Sequence, residues 1–179
     1  MDGPVTLADA KLYLRVDSAD EDAIIARFIR VAARRIETVY GLVAVQREIS
    51  FTFDCFRAEL RIPNIPVKAD SIAVSYLDGE GTAQDFTDFR AFDRHDWTFI
   101  APAIGAQWPT PAAAPGAISV TATLGYIDQE QSEEEQQAAV PDDLQQATLL
   151  MIEHLYRRIP GDMPAGMDAL VDHYRWRRV

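Results

Sequence analysis

Residues 20–41, DEDAIIARFIRVAARRIETVYG, constrain the fold of this chain more than any other stretch. Ile25, Phe28, Ile29, Ala32, Ile36, Val39 and Tyr40 recur at helical spacing and fall on one face. Ile24 and Val31 widen that face until the apolar arc covers nearly half the circumference, more than a simple surface helix needs. Arg27, Arg30 and Arg34 form a basic line on the opposite side. The acidic start Asp20, Glu21, Asp22 suits the positive end of the helix dipole, and Gly41 offers a left-handed stop. At about 1.5 Å per residue the helix spans roughly 30 Å, the width of a small domain. A chain holding such an element must cover a wide apolar face from more than one side.

Ahead of it, Thr6 and Asp9 form a capping pair opening a short helix to about Arg15, with Leu7, Ala10, Leu12 and Leu14 on its apolar side. Asp17 and Ser18 cap the long helix, and the short loop between the two implies an antiparallel or sharply crossed pair. After Gly41 the period changes from 3.6 to 2. Val43, Val45, Arg47, Ile49, Phe51 and Phe53 alternate with polar neighbours as a strand, and Leu60 and Ile62 continue the pattern to Pro63. Ile72, Val74 and Tyr76 form another strand, closed by the turn sequence DGEG at 78–81. One short strand is expected over 86–92, one over 97–100, and a last one through Ile118, Val120, Ala122 and Leu124. The Pro/Ala/Gly-rich stretch 102–116 between them reads as loop.

Residues 127–139, IDQEQSEEEQQAA, read as an exposed acidic linker. Pro141 at a first helical position, with Asp142 and Asp143 behind it, starts a helix to Arg158. Leu144, Ala147, Met151 and Leu155 occupy one side, Leu149, Leu150, Ile152 and Tyr156 most of the rest, and only Gln146, Glu153 and Arg157 form a polar edge. A helix apolar nearly all round is central to a core or enclosed in an interface. Ile159, Pro160 and Gly161 break it before a short final helix over 167–176. Helices, then five or six strands, then helices give an α+β fold: helices at both termini packed as a bundle, with a small antiparallel β-sheet inserted between them. A single domain is expected over 1–179, partitioned into N-terminal helices (1–41), β-region (42–126), acidic linker (127–140) and C-terminal helices (141–179).

With 179 residues and 48% hydrophobic content, the chain can bury roughly 70% of its unfolded surface without covalent staples. Its one cysteine, Cys55, excludes an internal disulfide framework and a Cys-rich zinc site. No basic, apolar leader opens the sequence, and no run approaches eighteen apolar residues, so no membrane partner is expected. The net charge of −11 argues against gripping nucleic acid through its phosphates, though not against a surface DNA passes without sticking. Acids gather at 17–22, 78–96 and 128–143, arginines at 27–35 and 157–178, a pattern that lets copies pair head to tail.

Catalytic groups are missing one after another. His95, His154 and His173 lack metal-ligand spacing. His154, on a mostly apolar helix, reads as a satisfied core or interface histidine, and His95 with Asp96 as a solvated loop pair. Cys55 reads as a buried structural thiol. No G-x-S-x-G, P-loop or G-x-G-x-x-G occurs, and the run Glu133, Glu134, Glu135 has no ligand pattern around it. No enzyme, catalytic residue, cofactor or metal is expected. Two basic features remain: the Arg27, Arg30, Arg34 line, a solvated face or a docking surface for an acidic partner, and the end HYRWRR (His173, Tyr174, Arg175, Trp176, Arg177, Arg178), a frayed tail, a weak nucleic-acid patch or a docking tail joining arginine to the aromatics enriched at interface hot spots.

Six segments taken in order resemble the head–tail connector, or adaptor, proteins of long-tailed bacteriophages and gene transfer agents. They are TLADAKLYLRVD, DEDAIIARFIRVAARRIETVYG, LRIPNIPVKADSIAVSYLDGEG, ISVTATLGY, VPDDLQQATLLMIEHLYRR and ALVDHYRW, running from about Val5 to Trp176. Stretches 102–116 and 127–139 have no counterpart. The resemblance implies a non-enzymatic ring, typically of twelve copies, beneath the portal in the neck of a particle assembled in bacterial cytoplasm. Such a ring extends the channel for double-stranded DNA and docks a stopper or other neck protein. It also implies that the C-terminal segment 167–179 makes the portal contact, which assigns His173 to Arg178 to portal docking. The Arg27, Arg30, Arg34 line is then expected between subunits. The alternatives are another neck or tail-completion protein of the stopper kind, or an enzyme with an unusual site around His95 and Asp96.

Overall fold

The wide-faced amphipathic stretch forms α2, Asp22–Tyr40, in a computed structural model that describes residues 3–63, 66–94 and 97–174. Ser18 caps a 3-10 turn, Ala19–Glu21, that leads into it, and Gly41 ends it at φ 74°. Thr6 caps α1, Leu7–Leu14, by accepting the Asp9 N–H, and its hydroxyl donates to the Asp9 carboxylate at 2.6 Å. The chain divides into two compact units. The described residues of Met1–Gln46 and Gly125–Val179 form the first, and Arg47–Leu124 the second.

The first unit is helical. Besides α1 and α2 it holds α3 (Glu133–Ala138), α4 (Asp142–Tyr156), α5 (Met167–Val171) and a closing 3-10 turn, Asp172–Tyr174. Its core joins Ala10 of α1, Ile25, Ile29, Ala32, Ile36 and Tyr40 of α2, Leu144, Ala147, Met151 and Ile152 of α4, and Met167 and Val171 of α5. Each fully buried aliphatic side chain there contributes about 1.5–3 kcal/mol. Of the two places its composition allowed, a core or an interface, α4 takes the core: it packs against α1, α2 and α5. Tyr40 donates to Asp168 at 2.6 Å and Tyr156 to Glu21 at 2.7 Å, so phenols at the ends of α2 and α4 tie the helices together.

Three boundaries differ from expectation. Pro141 is the residue before α4, with ψ 141°, and its carbonyl accepts from Leu144 and Gln145. The final helix stops at Val171 and tightens into the 3-10 turn. The supposed linker contains α3, set by a full capping box in which Ser132 and Glu135 exchange hydrogen bonds, with Gln136 buried beneath it. Charge alone hid this helix, because a solvated acidic face and an acidic linker have the same composition.

The second unit is β. Among the described residues it has seven strands in two antiparallel sheets, where one small sheet of five or six strands was expected. The first runs β1–β7–β3–β4 (Arg47–Phe53, Ile118–Leu124, Ala73–Leu77, Ala83–Phe86), the second β2–β6–β5 (Leu60–Pro63, Trp97–Pro102, Phe89–Arg94). The expected strand over 86–92 is two strands, one in each sheet. β7 alternates as anticipated: Ile118, Val120, Ala122 and Leu124 are all fully buried. Although last in the chain, it is inserted between β1 and β3, with Phe51 opposite Val120 and Val74 opposite the same residue. The DGEG turn is held by the Asp78 carboxylate, which accepts from Glu80, Thr82 and Gln84 at 3.0 Å each; the Thr82 bond does most to hold its carboxyl below the usual range.

Beyond the end of β6 at Pro102, stretch 102–116 is loop, as expected, and it is packed. Trp108 stacks on Phe56 at 4.4 Å and lies 5.0 Å from Phe86, while the Ala112 N–H donates to Leu77 and the Gly116 N–H to Asp54. Aromatic packing, a backbone bond and a backbone-to-carboxylate bond hold it in place.

Tyr126, packed against the helical core, supplies a pH prediction. Burial, and after it the neighbouring Tyr174, push its phenol up to about 12. In the unfolded chain it ionises near its ordinary value of 10.0, so between pH 10 and 12 the unfolded state releases a proton that the folded state keeps. The stabilisation is complete below about pH 10 and is lost as pH rises toward 12. Unfolding in urea across that range should show a falling stability whose slope is shallower in Tyr126→Phe.

Candidate interaction surfaces

The side chains expected to carry contacts divide into three groups. On α2, Arg27, Arg30 and Arg34 are all exposed, as a line opposite the core requires. Beside them on the same solvent side stand Ile24, 48% exposed, and Val31, 40% exposed. The apolar arc is therefore not covered to its edges by this unit, and the outward face of α2 combines three guanidiniums with two aliphatic side chains. Val39, counted with the core side by spacing, is also exposed, at 38%, although Ile36 and Tyr40 around it are buried.

At the chain end, Tyr174 is half-buried against the helical core, and its phenol is pushed up by burial and then by Asp143 and Asp142. His173 lies in the closing 3-10 turn. Arg175, Trp176, Arg177 and Arg178 lie outside the described residues. Two residues just upstream, Met167 and Val171, are fully buried, so the segment after Arg158 belongs to the core of the helical unit as well as to its surface.

The third group, Cys55, His154 and the pair His95 and Asp96, was weighed for chemistry. Cys55 is exposed, not buried as expected, because it follows the end of β1 in a bend where no strand covers it. His154 is 5% exposed, and its Nε2–H donates to the Gly161 carbonyl at 2.9 Å, a satisfied core histidine that fastens the turn after α4. His95 and Asp96 lie outside the described residues. Among the described residues, no group of three or more His, Cys, Asp or Glu side chains is placed to hold a metal ion, and no helix is long and apolar enough to cross a membrane.

A fourth surface was missed in the sequence. Across the β2–β6–β5 sheet, Arg61 faces Phe99, Phe92 faces the same Phe99, Arg94 faces Trp97 and Arg90 faces Ala101. Directly opposed residues share a face, so three arginines and three aromatics lie on one side of this sheet. The alternation Arg90, Phe92, Arg94 was the available signal. Its partners became visible only with strand pairing.

No protein-family profile matches this chain, and no curated protein matches it. Solved structures do share its fold. A chain from the virion of a native gene transfer agent particle is 24% identical and superposes with a TM-score of 0.72, covering 98% of this chain and 91% of that one. A chain from the neck of an empty gene transfer agent particle, computed with C6 symmetry, is also 24% identical with a TM-score of 0.71 and the same coverage. A third, from the neck of the native particle computed with C12 symmetry, has 24% identity and a TM-score of 0.68, covering 97% and 89%.

Proposed function

We propose that this chain is a head–tail connector (adaptor) subunit: a structural protein of a particle neck that joins copies of itself into a ring beneath a portal, extends the DNA channel and offers a platform to the next neck protein. The observation that carries the reading is the end-to-end likeness of its fold, 98% of the chain, to chains of gene transfer agent particles, two of them neck chains. The sequence supports the same reading: its periodicity gave helices, then strands, then helices, and six of its segments taken in order resemble connectors. The outward face of α2 supports the ring: arginines beside exposed aliphatics are the composition of an interface core, not of an inert solvated face. The net charge of −11 suits a conduit wall that repels phosphates. The helices of both chain ends, sharing one core, serve as the bundle that carries the C-terminal docking segment His173–Arg178 toward the portal.

Electron microscopy of portal-containing particles tests this. A ring of this chain directly below the portal is the expected result; density for it in the tail tube or the capsid shell overturns the reading. Deletion of residues 175–179 should abolish attachment to the portal, with thermal melting as the check that the shortened chain still folds. A cut after Arg158 is a poorer experiment, since it removes buried Met167 and Val171 from the core. Replacing Arg27, Arg30 and Arg34 with alanine should weaken contacts between copies and change subunit stability by less than about 1 kcal/mol, because all three are exposed.

A further inference from the structure

The outer face of the β2–β6–β5 sheet is organised beyond what an ordinary solvated surface requires. Phe92 and Phe99 stack with centroids 5.8 Å apart and planes at 11°. Arg61 lies over Phe99 at 5.4 Å, Arg90 over Phe92 at 5.3 Å, and Arg94 over both rings at 4.8 and 5.2 Å. All three arginines are exposed. Among the described residues the one carboxylate in ion-pair range is Glu59, 3.6 Å from Arg94. A cation–π contact uses the charge of the guanidinium and leaves its N–H donors available. The rings also hold three flexible side chains in place, so little rotamer freedom remains to be lost when an acceptor arrives. This is a preorganised surface for carboxylates.

We propose that it receives the acidic segment 128–135 of a second copy of this chain. Asp128, Glu130, Glu133, Glu134 and Glu135 lie within eight residues, and 127–139 contains neither lysine nor arginine. Glu130, Glu133 and Glu134 are exposed, while Glu135 is engaged in capping α3. The basic face belongs to the β unit and the acidic segment to the helical unit. One copy's face on the next copy's segment is therefore a heterologous contact that leaves both complementary surfaces open at the ends, and such contacts close into a ring where the rotation between copies closes. Nucleic acid fits the face less well: both rings are already covered by each other and by guanidiniums, which leaves no open ring for a base, and the chain as a whole repels a polyanion. The inference rests on the ring reading for closure, but the pairwise contact can be tested without it.

Sedimentation of the full chain at low and high salt measures that contact. The wild type should associate at low salt, with the association weakened at high salt. Arg61→Glu/Arg90→Glu/Arg94→Glu and Glu130→Arg/Glu134→Arg should each weaken it about tenfold or more, and mixing the two reversed chains should restore it. The neutral variant Arg61→Gln/Arg90→Gln/Arg94→Gln gives the same reading if the reversed chain folds poorly, with thermal melting as the check on folding. Absence of salt-dependent association in the wild type up to ~1 mM overturns the proposal. So does unchanged association in the variants, or failure of the mixture to recover. Duplex DNA binding that is lost with the arginines while self-association persists assigns the face to phosphates instead. Absence of the chain from a particle neck would remove the ring reading and leave a salt-dependent pair contact standing.

Discussion

Gly125→Ala is expected to cost roughly 2–5 kcal/mol of stability. Gly125 has φ 133°, a conformation that side-chain-bearing residues rarely adopt, and an added Cβ would stand 2.8 Å from the N and Cα of Gln46 and 2.9 Å from the carbonyl carbon of Val45. Those are backbone atoms and cannot swing aside. The segment is also pinned: the Gln46 N–H donates to Ile127, and the Tyr126 and Ile127 N–H groups both donate to Ala44. Relief of the clash must break that pairing. Urea unfolding provides the measurement, with Gly79→Ala as the control, because a Cβ at Gly79 meets nothing within 4 Å. If Gly125→Ala and Gly79→Ala unfold at the same midpoint, the close crossing at Gln46 is wrong.

Met151→Ala should lower stability by about 2–4 kcal/mol. Met151 is fully buried at the middle of α4, in the cluster that joins α1, α2, α4 and α5. Truncation there removes transfer energy and leaves a void that four helices cannot all close upon. Leu12→Ala, at a position 79% exposed, should change stability by less than about 0.5 kcal/mol. A Met151→Ala chain that melts with the wild type would mean that α4 is peripheral, and the description of the helical core would fail with it.

Much of this was legible in the residues. The spacing of Ile25, Ile29, Ala32, Ile36 and Tyr40 places the core face of α2, and Gly41 marks its end, because local sterics and burial pattern act within a few residues. The alternation of β7 was equally clear. Recognition of α3 failed for a physical reason: six residues cannot sustain a helix alone, and the cap made by Ser132 and Glu135 is a geometric event that composition does not display. Cys55 was misjudged because burial depends on which element passes over a bend. Trp108 sits in a Pro-rich stretch whose sequence shows no partner for it, because its partners Phe56 and Phe86 come from other segments.

The sequence by itself determined the order of helices, then strands, then helices, the nearly all-round apolar character of α4 and the basic line on α2, since each follows from periodicity within one segment. Only the tertiary structure decided that β7 enters between β1 and β3, that the strands divide into two sheets, and that Arg61, Arg90 and Arg94 meet on one aromatic floor. Those are pairings between residues as many as 77 positions apart, Arg47 with Leu124. Their free energy comes from registers and shared faces that exist only once the chain has closed on itself.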